Sequence, residues 1–191
     1  MEKLLRDRKL YEWLERVDID LAAKVQAEGC SDCGAKLHRG NYKRKPRGGV
    51  AEAVEGWVKR LSFCCSQEGC RKRKTPPSVR FLGRKVYLGV VVVLVAAMMH
   101  GLSAKRVERL RTALGMDRRT LQRWREWWAE TFLKGDFWKT VRGRFRRRLN
   151  ETIMPLSLIE TFGARRREGM VKLLEFLAPI TILKRKGVVA M

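Results

Sequence analysis

Apolar residues recur at near-helical spacing over the first 28 positions: Leu4, Leu5, Tyr11, Trp13, Leu14, Val17, Leu21, Ala22 and Val25. Gly29 is placed to stop that helix just before Cys30. From residue 30 to 82 the pattern changes. Gly34, Gly40, Pro46, Gly48, Gly49, Pro76 and Pro77 punctuate short segments, and "LHRGNYKRK" and "WVKRLSFCC" alternate as strands do. Apolar residues are too sparse there for an ordinary core, so something other than hydrophobic burial has to hold this stretch.

Residues 83–134 predict three helices. "VYLGVVVVLVAAMM" is apolar throughout, which fits a helix buried on all sides. "LSAKRVERLRTALG" has Ser103 as N-cap, Leu102, Val107, Leu110 and Leu114 on one side, and Gly115 as the residue after the helix. "MDRRTLQRWREWWAETF" follows with Asp117 as N-cap. Beyond residue 135, "FWKTVRGRFRRRLN" reads as a basic helix. Pro155 and Pro179 bracket a patchy helical stretch, and "ITILKRKGVVAM" reads as strand or as disordered chain. The expected fold class is α+β and mainly helical. It comprises an N-terminal helix (1–28), a small ribbon of β-hairpins (29–82), a three-helix unit (83–134) and a basic C-terminal helical region (135–191).

Charge narrows the function. Lys plus Arg outnumber Asp plus Glu by 43 to 20, for a formal net charge of +23 on 191 residues. Self-repulsion of that size is most easily tolerated beside a polyanion, with nucleic acid first and an anionic membrane second. The chain is 45% hydrophobic with six Trp, too apolar for a disordered basic tail. The apolar run 86–99 is shorter than the roughly 20 residues of a membrane-spanning helix. "MEKLLRDRKL" lacks the apolar centre of a secretory signal. The expectation is a cytoplasmic, nucleoid-associated protein with reduced cysteines and no membrane.

In a reducing compartment, clustered cysteines favour metal over disulfide. Zinc takes four soft or borderline ligands in a tetrahedron. Cys30 and Cys33 form one tight pair, and Gly34 suits the left-handed turn that such a pair often needs. The second pair lies in "FCCSQEGCRKRK". Cys70 is one ligand, and its partner is Cys65 or Cys64. If "RLSFC" is a strand, Leu61, Phe63 and Cys65 face one way, which favours Cys65. His38 is a rival fourth ligand, in mid-strand among basic residues. Four protein ligands leave no open position for water, so the Zn2+ is expected to be structural.

"LSAKRVERLRTALGMDRRTLQRWREWW" reads as a helix-turn-helix around Gly115, supported by the apolar helix before it. Its second helix opens with Arg118, Arg119, Gln122 and Arg123, the residue types that pair with guanine and adenine edges. Ser103, Lys105 and Arg106 begin the preceding helix and suit phosphate. Further basic clusters are Lys43, Arg44, Lys45 and Arg47 in the ribbon, and Arg71, Lys72, Arg73 and Lys74 after the last cysteine. The third is Arg142, Arg144, Arg146, Arg147 and Arg148. Together they predict an extended polyanion footprint with strongly salt-dependent binding.

The order of Cys30, Cys33, "LHRGNYKRKPRG", Cys65, Cys70 and "RVERLRTALGMDRRTLQRWREWW" resembles a known pattern. It is that of the zinc-ribbon and helix-turn-helix DNA-binding regions of bacterial insertion-sequence transposases and their small accessory proteins. The resemblance covers roughly residues 29–132. It departs at "CCSQEGC", where the second pair is usually Cys-x-x-Cys. It implies double-stranded DNA as partner, in recognition of element ends or regulation of the element's own promoter. A transposase would add a catalytic domain with three spaced carboxylates. Asp136, Glu151, Glu160, Glu168 and Glu175 show no strand-borne setting for metal ions, and no other catalytic constellation is visible, so no enzyme is expected. RNA binding, and recruitment of a separate catalytic protein or a second copy of the chain, are the rival readings.

Overall fold

A computed structural model describes residues 2–44, 58–82, 88–100, 103–113 and 115–182. The fold is mixed α+β and mostly helical, with two small antiparallel sheets. Helix α1 (Glu2–Leu5) breaks at Arg6, and Asp7 caps α2 (Arg8–Glu28) by accepting from the Leu10 amide at 3.2 Å. The expected single N-terminal helix is therefore two, because an Asp able to take an orphan amide starts a helix more readily than it continues one. Gly29, at φ +78°, ends α2 before Cys30.

Helix α2 is shared by two cores. Leu10, Tyr11 and Leu14 belong to the main core, while Ala22 and Val25 pack against the β region. The main core gathers the whole helical part of the chain. At its centre is α3 (Gly89–Met98), buried at every position from Gly89 to Ala97. Around it lie α5 (Arg118–Glu126), α7 (Leu156–Thr161) and α8 (Arg167–Leu177). Helix α5 continues as a π-helical turn, Trp127–Phe132, which seats Trp127, Trp128 and Phe132 in the core. From there a chain of ring contacts, with centroids 4.7–6.3 Å apart, runs through Phe137, Trp138, Phe145, Phe162 and Phe176. Gly169 lets α8 close on the turn before it. A Cβ there would lie 2.3 Å from the Gly163 carbonyl oxygen. Helix α4 (Ala104–Ala113) touches this core through Val107.

The expected basic helix stops early. Helix α6 spans Asp136–Val141, a 3-10 turn covers Arg142–Arg144, and Phe145 is already extended. A continued helix would stack Arg142 on Arg146 and Arg144 on Arg148 as like-charged i,i+4 pairs, with Gly143 inside it.

In the β region, β1 (Leu37–Arg39) and β5 (Arg73–Lys74) flank β4 (Phe63–Cys65), and β2 (Tyr42–Lys43) pairs with β3 (Lys59–Arg60). Leu37 lies opposite Cys65 and His38 opposite Cys64. Its core is small: Ala22, Cys30, Leu37, Phe63 and Cys65 are the buried members.

One buried polar knot joins the two parts. Asp18 of α2, 1% exposed, accepts from the Ser78 hydroxyl at 2.7 Å, the Val79 amide at 2.7 Å and Arg80 Nε at 2.8 Å. Arg80, also 1% exposed, donates onward to the Lys59 carbonyl at 2.9 Å. The connector after β5 is thus pinned to both α2 and β3. No described helix is long and apolar enough to cross a membrane.

Candidate metal centre and basic surfaces

Two turns bring four sulfurs together. In the first, the Gly34 amide donates to the Cys30 carbonyl at 2.7 Å and the Cys30 amide to the Ala35 carbonyl at 2.9 Å, with Gly34 at φ +75°. In the second, the Cys70 and Arg71 amides both donate to the Gln67 carbonyl, and the Gln67 amide points at Cys65 Sγ, 3.4 Å away. Arg71 takes φ +44° immediately after the second cysteine, where the first turn has glycine.

The sulfurs of Cys30, Cys33, Cys65 and Cys70 all lie within 4.8 Å of one another, with Cys30–Cys70 at 3.8 Å and Cys33–Cys65 at 3.4 Å. A tetrahedron with metal–sulfur bonds of about 2.3 Å has sulfurs about 3.8 Å apart. The four residues therefore fit a single metal ion. The choice between the adjacent cysteines follows the strand: Leu61, Phe63 and Cys65 face inward, and Cys64 lies on the opposite face beside Gly40. His38 is exposed and level with Cys64, so it faces away from the cluster.

The surroundings act in opposite directions on the two buried cysteines. As a free thiol, Cys30 is drawn down to about 7, chiefly by the Asp32 backbone amide and then by that of Cys33. Cys65 is pushed up to about 12, chiefly by burial. Asp32, between the first two cysteines, accepts from Lys72 Nζ at 2.8 Å and from Lys74 Nζ. Those bonds hold its carboxyl down at about 2 and raise both lysines. Sequence reading missed Asp32 as a partner. The available signal was an acid inside the Cys-x-x-Cys turn, with four cations following the last cysteine.

The basic cluster after Cys70 is largely engaged within the protein. Lys72 and Lys74 hold Asp32, Lys74 also donates to the Ser31 hydroxyl at 2.6 Å, and Arg73 reaches the Gly40 carbonyl at 2.8 Å and Ser62 at 3.1 Å. Arg71 is exposed. On β2, Lys43 is exposed, while the Arg44 and Arg73 guanidinium groups lie 5.2 and 5.6 Å from the Tyr42 ring centre. Lys45 and Arg47 fall outside the described residues.

Helix α5 has the predicted Asp117 cap, which accepts from the Arg119 amide at 3.3 Å. Thr120, Leu121 and Trp124 are buried, and Arg118, Arg119, Gln122 and Arg123 are exposed. Together with Asp117 these four line one surface concavity. Arg123 is turned back along the helix, to the Thr120 hydroxyl at 3.0 Å, and Gln122 bonds Glu126 at 2.9 Å. Ser103 and Lys105 are exposed at the start of α4, and Arg106 follows on the same helix.

Fold and site define a mostly helical α+β protein with a four-cysteine, metal-competent centre. No protein-family model matches the chain, and no curated protein or solved structure matches it either.

Proposed function

We propose that this chain is a zinc-stabilised, double-stranded DNA-binding protein, an accessory or regulatory factor of a mobile element. The mobile-element role follows from the resemblance of residues 29–132 to the DNA-binding regions of insertion-sequence transposases and their accessory proteins. In this reading residues 29–82 form a zinc ribbon whose metal is held by Cys30, Cys33, Cys65 and Cys70 and supplies folding free energy of about 10 kcal/mol or more. A closed tetrathiolate set is a structural site rather than a hydrolytic one. Four thiolates around Zn2+ leave a charge of −2 and Asp32 adds another negative charge, which Lys72 and Lys74 offset in part.

Helices α4 and α5 act as a helix-turn-helix, with α3 as the buried support. The observation that carries DNA binding is the concave, cation-lined start of α5, in a chain of net charge +23. Arg118 and Arg119 present guanidinium groups at the end of a helix whose opposite face is anchored by Leu121 and Trp124. This is the part of a reading helix that meets base edges, and a bidentate Arg–guanine contact gives about 1–3 kcal/mol of discrimination. Arg123 and Gln122 reach bases after exchanging their intrahelical partners.

The test compares Arg119→Ala and Arg123→Ala with the parent on a duplex selected by the protein and on a scrambled duplex. Loss of about 10- to 100-fold on the selected duplex, with little change on the scrambled one, is expected. Equal loss on both removes the base-reading role. RNA binding is a second reading, favoured by the Tyr42 ring flanked by two guanidinium groups, since aromatic and Arg planes stack unpaired bases. Competition between duplex DNA and structured RNA at matched salt separates the two.

A further inference from the structure

The segment 142–148 carries five arginines in seven residues. It is fixed to the protein from within. Val141 at its start is buried, and Phe145 lies 5.9 Å from the Trp138 ring, 6.2 Å from Phe162 and 5.6 Å from Phe176. Leu149 packs on the same core. Asn150 then starts the next turn by accepting from the Thr152 amide at 3.0 Å. Phe145 and Leu149 are half-buried against the core, and Arg142, Arg144, Arg146, Arg147 and Arg148 are all exposed.

Acidic partners are scarce. Arg142 has one loose contact, 3.9 Å from Glu151, whose same oxygen already accepts from Trp138 Nε1 at 2.8 Å. Among the described residues, the side chains of Arg144, Arg146, Arg147 and Arg148 have no ion-pair or hydrogen-bond partner. This contrasts with the cluster at 71–74, where Asp32, Ser31, Gly40 and Ser62 engage three of the four cations. Holding like charges together on a fixed backbone is costly unless an anion joins them.

We propose that this arginine strap is a docking surface for the phosphate backbone of duplex nucleic acid, separate from the start of α5. The proposal rests on the DNA-binding reading above and adds a second contact region to it. The chemistry selects the occupant. Guanidinium groups bind phosphate oxygens in a bidentate manner. The one aromatic ring of the strap, Phe145, is engaged with Trp138, Phe162 and Phe176, so the strap itself offers no free ring to stack an unpaired base, as single-strand binders require. Equally, with Phe145 and Leu149 packed on the core, the strap has no apolar wedge to enter a bilayer, as an interfacial membrane segment requires. What remains is a sequence-independent grip on a charged rod.

Counter-ion release makes the proposal quantitative. Each phosphate neutralised on B-form DNA adds about 0.9 to the slope of log K against log salt. The experiment measures that slope for the full-length, metal-loaded protein on one random-sequence duplex. The parent is compared with a variant carrying Arg144→Ala, Arg146→Ala, Arg147→Ala and Arg148→Ala. The expected result is a slope smaller by about 3–4 and an unchanged ratio of selected to scrambled duplex affinity. Arg→Lys at the same four positions keeps the slope within about 1 of the parent. If the four-Ala variant does not fold, the single Arg146→Ala and Arg147→Ala variants each lower the slope by about 0.9. A folded variant with the parental slope overturns the strap while leaving the α5 reading intact. A parent that binds no duplex overturns both. Tighter binding of the parent to phosphatidylserine vesicles than to duplex, lost in the variant, assigns the strap to a membrane and also overturns the proposal.

Discussion

Replacing Asp18 with alanine removes a buried acid that ties the β region's connector to the helical core. The Arg80 guanidinium would stay buried without its closest carboxylate, a loss of about 3–5 kcal/mol when one member of such a pair is deleted. The Val79 amide would lose its acceptor, costing about 1–3 kcal/mol if water cannot reach it. The Ser78 hydroxyl can rotate, so it adds little. Glu15 lies 3.5 Å from Arg80 Nη1 and takes over part of the compensation, which argues for the lower half of the summed range. The expected destabilisation is therefore about 4–6 kcal/mol, against a total for a typical protein of about 5–15 kcal/mol. The assay is urea unfolding of the metal-loaded protein, followed by fluorescence of the buried tryptophans. A double-mutant cycle with Arg80→Ala should give a coupling of at least about 2 kcal/mol, because the double variant leaves no orphaned charge. A loss below about 1 kcal/mol for Asp18→Ala, or a coupling near zero, would mean that Arg80 does not depend on Asp18 for its compensation.

Three more outcomes follow from the metal centre and its neighbours. Cys65→Ser should abolish the tetrathiolate absorption of the cobalt-loaded protein while Cys64→Ser preserves it, and the reverse result would reassign the ligand. Chelation should strip protection from the amides of β1, β4 and β5 in hydrogen exchange and leave those of α3 and α8 protected. The two cores are separate, and the smaller one consists partly of metal ligands. Arg71→Gly should raise the unfolding midpoint of the loaded protein by an amount worth about 1 kcal/mol, since φ +44° is strained for any residue with a Cβ. An unchanged or lowered midpoint would place that strain elsewhere.

Much of this architecture can be read along the chain, and the exceptions have physical causes. The all-apolar run at 89–97 reads as a helix buried on all sides, and Gly29 and Asp117 mark helix boundaries by chemistry that acts locally. Strand alternation alone separated Cys65 from Cys64, because side-chain direction in a strand is fixed by parity. Asp18 was overlooked although its position carried a signal. It falls on the stripe of Leu14 and Ala22, where a charge has to find a buried partner. That partner, Arg80, lies 62 residues away, and no local pattern reveals a pairing of that range. The division of labour among the basic clusters was equally hidden. Composition treats Lys72 and Arg146 alike, and only tertiary contacts tell an engaged cation from one left to solvent.

We propose that this protein reads double-stranded DNA sequence. The measurement that tests this most directly is selection of bound molecules from a random duplex library by the zinc-loaded, full-length protein. One enriched motif is expected, lost with Arg119→Ala and retained with the four arginines of the strap replaced. Retention of duplex without any enriched motif, or enrichment of structured RNA in a parallel library, would contradict it.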